Sequence, residues 1–147
     1  MKAGLKTFAI LLAIALHLCG CGQDTSSSSS VSAALLIPRD LVDDLGSITI
    51  YVIETDKETH KPDCPLLLGD TEAYKDAKVV KKKEIAFEPQ GTTALIEGIP
   101  DRGRVWRFYV RGFDGNQQLI AHGCEPGVRD VPADDTITVE IDVVRID

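Results

Sequence analysis

The feature that most narrows what this chain can fold into is a hydrophobic period of two. Thr136–Val143, TITVEIDV, places Ile137, Val139, Ile141 and Val143 on one side and Thr138, Glu140 and Asp142 on the other. Ser47–Glu54, SITIYVIE, is rich in β-branched residues and sets Ile48, Ile50 and Val52 against Thr49, Tyr51 and Ile53. Successive side chains of a strand point to opposite faces, so such alternation marks strands that bury one face. A third strand, from Val105, puts Trp106, Phe108 and Val110 on one face. Its other face carries Arg107, Tyr109 and Arg111.

Punctuation between these runs is that of antiparallel β-structure. Asp114-Gly115-Asn116 is a hairpin turn, and Gln117–Gly123 returns as its partner strand, delivering Cys124. Shorter strands are expected at Ala33–Ile37, stopped by Pro38, at Glu84–Glu88 and at Thr92–Glu97. Pro38 suits a first strand at a sheet edge. Between Thr55 and Val80 the pattern weakens. Leu66–Leu68 would cap one end of the core, and Asp70 could cap a short helix in the 70–80 region. Lys81-Lys82-Lys83 reads as a solvated turn or edge. About seven strands with turn signals between them make an all-β, antiparallel β-sandwich the economical architecture.

Ahead of this domain lies a segment of different character. Met1–Lys6 carries Lys2 and Lys6 and no acid, and Thr7–Leu18 is almost wholly apolar. A run this short does not span a bilayer, which takes about 20 residues, and it has the form of a secretory signal peptide. It ends in Leu18-Cys19-Gly20-Cys21, in which Leu18, Gly20 and Cys21 resemble the lipobox of bacterial lipoproteins. Cys19 holds the place where that family usually has Ala, Ser, Thr or a small aliphatic residue. The resemblance implies cleavage after residue 20, palmitate and diacylglycerol on Cys21, and a membrane anchor. Gly22 in place of an Asp leans the sorting towards the outer membrane of a Gram-negative envelope. Residues 21–32, with GQDTSSSSSVS from Gly22, are then expected to be a flexible tether of about 18 Å average span. Residues 33–147 would form the single domain.

Removing residues 1–20 takes away two lysines, leaving 14 basic and 23 acidic residues and a net charge of −9. That balance excludes nucleic acid as a natural partner, because its phosphates would repel the domain. The two cysteines of the domain, Cys64 and Cys124, read in an exported protein as one disulfide. It would close a loop worth roughly 4 kcal/mol of chain entropy. A zinc site adding His60 and His122 is the alternative, and it lacks a CxxC pair.

The stretch Leu95–Asp114, with Ile99-Pro100, Gly103, an alternating strand and an Asp-Gly turn, resembles transthyretin-like and carboxypeptidase regulatory-like modules of bacterial envelope lipoproteins. The resemblance implies an immunoglobulin-like or transthyretin-like sandwich. No Gly-x-Ser-x-Gly elbow, Walker loop or dinucleotide fingerprint occurs, and the serines cluster in the tether, so the chain reads as non-enzymatic. No cofactor is implied beyond the lipid. Asp43-Asp44 and Asp134-Asp135 are the only loop carboxylate pairs suited to calcium, and solvated acids are the preferred reading. The expected role is a structural or protein-interaction module. The alternative is binding of envelope polysaccharide or a small ligand through a solvent-facing surface of Tyr51, Arg107, Tyr109 and Arg111.

Overall fold

The computed structural model describes residues 28–89, 93–100, 104–127, 129–132 and 134–146. The expected signal peptide 1–20, lipidation site Cys21 and tether up to residue 27 lie outside the described residues. Seven strands carry the fold: β1 (Ser28–Leu36), β2 (Leu45–Thr55), β3 (Val79–Ala86), β4 (Thr93–Pro100), β5 (Val105–Asp114), β6 (Leu119–Cys124) and β7 (Thr136–Arg145). Helical structure is confined, among the described residues, to α1 (Arg39–Val42), α2 (Cys64–Gly69) and a 3-10 turn at Ala73–Lys75. The short helix expected near 70–80 is therefore this single turn, with α2 just before it. No helix among the described residues is long and apolar enough to cross a membrane.

The strand order is β3-β2-β5-β6-β7-β1-β4, one ribbon of strands folded over into a sandwich. β7 joins its two halves, pairing with β1 through Thr136–Asp142 and with β6 through Val143–Arg145. At that crossover the backbones come close: a Cβ on Gly123 would sit 2.4 Å from the Asp142 carbonyl oxygen, so only glycine fits.

The alternating residues meet in the middle. Ile48, Ile50 and Val52 of β2 and Trp106, Phe108 and Val110 of β5 pack against Val31, Ala33 and Leu35 of β1 and Val139, Ile141 and Val143 of β7. Ala94, Ile96 and Ile99 of β4 close the far side, and Leu41 of α1 plugs one end. Arg145 holds α1 in place, donating from Nη2 to the Asp44 carboxylate at 2.7 Å and to the Asp40 carbonyl.

Three expectations are corrected. The β1–β7 pairing is parallel, so the sheet is mixed rather than purely antiparallel. These strands come from opposite ends of the chain, and a parallel pair needs only a long connection. Second, β1 lies between β7 and β4, and the edges are β3 and β4. Third, the tether does not run to Ser32. Ser28–Ser32 already form the start of β1, paired with β4 on one side and, from Ser30, with β7 on the other. Ser29 is fully buried and its hydroxyl donates to the Pro132 carbonyl. Serine has little strand preference of its own, and pairing on both sides overrides it.

Candidate functional site

The outer face of the β2-β5-β6 sheet is where the chemistry-bearing side chains gather. Register places Tyr51 opposite Tyr109, Ile53 opposite Arg107 and Thr49 opposite Arg111. On the other side of β5, Cys124 pairs with Tyr109 and His122 with Arg111. The four residues expected to form a binding surface are thus neighbours, as alternation requires.

They do not face solvent. Tyr51 is 6% exposed, Arg107 3%, Tyr109 0% and Arg111 9%. The chain between β2 and β3 folds back over them as a strap. It begins with a turn in which Asp56 accepts hydrogen bonds from the amides of Glu58 and Thr59. Asp63 then caps α2 by accepting from the Leu66 amide at 3.0 Å, with Pro65 suited to the first turn. Cys64, at the start of α2, is bonded to Cys124. With both sulfurs joined, the four-ligand zinc alternative is not formed, and no group of three or more His, Cys, Asp or Glu among the described residues could hold a metal. Leu67 is fully buried and packs with Tyr51, Ile53 and Tyr109, and Leu68, Ala73, Tyr74 and Ala77 border this second cluster.

Arg107 is a structural staple. Its Nε donates to the Pro62 carbonyl at 2.9 Å, Nη1 to the carbonyls of Glu125 and Pro126 at 3.0 and 2.9 Å, and Nη2 to that of His60 at 3.3 Å. A planar guanidinium with fixed donors suits such a convergence of carbonyls, which a lysine could not match. Burial lowers its pKa, while Asp63 and Glu125 favour the charged form.

Beside the strap an open cleft of about 540 Å³ remains, bounded by Tyr74 on one side and β3 on the other. Tyr51, Tyr74, Lys82, Arg111 and Phe113 supply its aromatic and cationic lining. Tyr51 and Tyr74 have ring centroids 4.7 Å apart, and each lies 6.1 Å from Tyr109. The Arg111 guanidinium carbon is 4.6 Å from the Tyr74 ring centre and 5.3 Å from that of Phe113, and Nη1 donates to the Tyr74 hydroxyl at 2.7 Å. Lys82 reaches over Tyr51 and pairs with Glu84 at 2.5 Å.

Burial pushes the Tyr109 phenol up to about 12, and it raises Tyr51 as well. Both therefore stay neutral donors at ordinary pH. Desolvation lowers the His122 pKa, keeping the imidazole neutral. Tyr109 Oη, Arg111 Nε and His122 Nδ1 are buried without a hydrogen-bond partner, three of the four such atoms found among the described residues. Trp106 Nε1, on the opposite face, is the fourth. Unpaired buried polar groups are scarce in folded proteins, so their concentration on one face is informative.

Tyr74, Lys82, Phe113 and His122 were not expected here. Lys82 could have been found, because a strand starting at Val79 puts it opposite Tyr51. Tyr74 leaves no such signal, since it arrives through the strap.

No protein-family model and no curated protein sequence matches this chain. Among solved structures it is similar to an alternative pilotin from the type II secretion system of Vibrio cholerae, at 12% identity and a TM-score of 0.49, over 82% of this chain and 96% of that one. It is also similar to the T6SS lipoprotein TssJ1 from Pseudomonas aeruginosa, at 16% identity and a TM-score of 0.39, over 83% of this chain and 98% of that one.

Proposed function

We propose that this protein is an envelope lipoprotein, anchored through Cys21, whose β-sandwich is a non-catalytic module for docking another envelope protein. The lipobox resemblance supports the anchor, and Gly22 supports the outer membrane in a Gram-negative host. Ser28 already belongs to β1, so at most residues 22–27 lie between the anchor and the fold. Even fully extended, six residues reach at most about 20 Å, so the Ser28 end of the sandwich stays near the lipid surface. Ser28 pairs with Pro100, so on this reading that end of β4 faces the membrane too.

One observation carries the docking reading. The outer face of the β4-β1-β7 layer exposes Leu95, Leu36 and Val144 at 48%, 49% and 45%, three of the five large apolar side chains exposed among the described residues. Ser32 and Ala34 of β1 lie between Leu95 and Leu36, and the exposed Thr138, Glu140 and Asp142 of β7 give the patch a polar border. Apolar side chains grouped on one face of a small domain mark contact sites.

A photo-crosslinking residue at Leu95, in the full chain in intact envelope, is expected to capture a protein, and one at exposed Lys57 is not. Capture at neither position would remove the docking reading. Palmitate labelling and membrane fractionation of Cys21→Ser test the anchor separately, and unchanged labelling would remove it.

A further inference from the structure

The cleft beside the strap has no part in that docking face, and its lining is specific. We propose that it binds a carboxylated sugar, with Arg111 and Lys82 taking the carboxylate and Tyr51 and Tyr74 lying against the ring. The proposal deepens the reading of the domain as a binding module by giving it a second, small-molecule site.

The first argument is charge. The mature chain carries a net −9, yet here two cations converge on one hollow. Arg111 is nine-tenths buried, its plane is held against Tyr74 and Phe113, and its Nε has no acceptor among the described residues. Among the described residues its only carboxylate partner is Glu72, at a loose 3.5 Å from Nη2. A guanidinium positioned in this way retains donor capacity for an incoming anion, and a planar carboxylate matches its geometry.

The second argument is shape and lining. A volume of about 540 Å³ falls within the range of roughly 300–1,000 Å³ usual for small-ligand sites. Aromatic rings supply apolar contact, while Ser47, Thr49 and Gln117 line the same hollow and can meet ring hydroxyls. An amphipathic ring with hydroxyls on its edge and apolar C–H groups on its face fits that combination. The third argument separates carboxylate from phosphate. Glu72 and Glu84 flank the two cations, so these four groups carry no net charge and a dianion is disfavoured more than a single carboxylate.

The test is titration of the full-length chain in detergent micelles with trigalacturonate, followed by calorimetry. Its fully methyl-esterified form, triglutamate and inorganic phosphate serve as the other arms. The acid trisaccharide is expected to bind, and the ester about tenfold or more weakly, the loss of a charge-assisted contact. Lys82→Ala is expected to weaken binding about tenfold with an unchanged melting temperature, because Lys82 is a half-exposed side chain on an edge strand. Tyr74→Ala should weaken both sugars alike. Absence of trigalacturonate binding, equal binding of the ester, or wild-type affinity in Lys82→Ala would overturn the proposal. Tighter binding of triglutamate or phosphate would overturn it in favour of a peptide or phosphate site. These titrations contain no partner protein, so their failure and failure of the Leu95 crosslink are separate results.

Discussion

The two faces of the β2-β5-β6 sheet are both buried, and they are buried in different ways. The inner face meets another layer of strands, and its contacts are almost all aliphatic or aromatic carbon. The outer face meets a strap of irregular chain, and its contacts involve tyrosines, arginines and a disulfide. Apolar burial is non-directional and scales with area, so the inner core needs no particular partner for each residue. The outer cluster is small. It is held by directed interactions, chiefly the Cys64–Cys124 bond and the Arg107 hydrogen bonds to four carbonyls. The difference also explains where polar capacity is left over. A face built from hydroxyls and guanidinium groups can satisfy most of its donors but not all, and of the residues left with an unpaired atom Arg111 lines the cleft.

The comparison breaks first at the inner core. Phe108 is fully buried there, and Phe108→Ala is expected to cost about 3–5 kcal/mol in urea unfolding, loosening both faces together. A cost below about 1 kcal/mol would mean that the inner core does not carry the fold.

Replacing both cysteines by serine should cost less, about 2–4 kcal/mol, and act mainly on the strap. Amide exchange should then rise across residues 56–78, while β1 and β7 remain protected. Equal deprotection of β1 and β7 would show that the two faces form one cooperative unit.

The smallest effect concerns pH. His122 is nearly buried beside Arg111, and its folded pKa lies below the usual 6.5. The unfolded chain therefore takes up the proton first as pH falls. The stability tied to neutral His122 is fully present above about pH 6.5 and declines below it, through the folded pKa. Unfolding midpoints measured from pH 7.5 to 5.0 should fall in the wild type and stay flatter in His122→Gln. Parallel curves would assign the acid loss to groups other than His122; Glu54, whose carboxyl is held low by Lys78 and Arg104, loses its contribution only below its usual range and so outside this window.

Period-two alternation identified β2, β5 and β7 and sorted their residues onto the correct faces, because a strand's geometry is local. Two cysteines in a domain whose leader reads as an export signal were enough to anticipate the bond between Cys64 and Cys124, since the domain offers no other pairing. Whether the stripe of Arg107, Tyr109 and Arg111 met water or protein was not local. Alternation says that a strand has two faces, and it does not say what comes to lie on each. A stripe of arginine and tyrosine reads the same under solvent as under a strap, and the strap's own sequence is irregular. The start of β1 at Ser28 and its parallel pairing with β7 are of the same kind. Serines have no reason to extend until strands on both sides offer them hydrogen bonds, and those strands arrive more than sixty residues later.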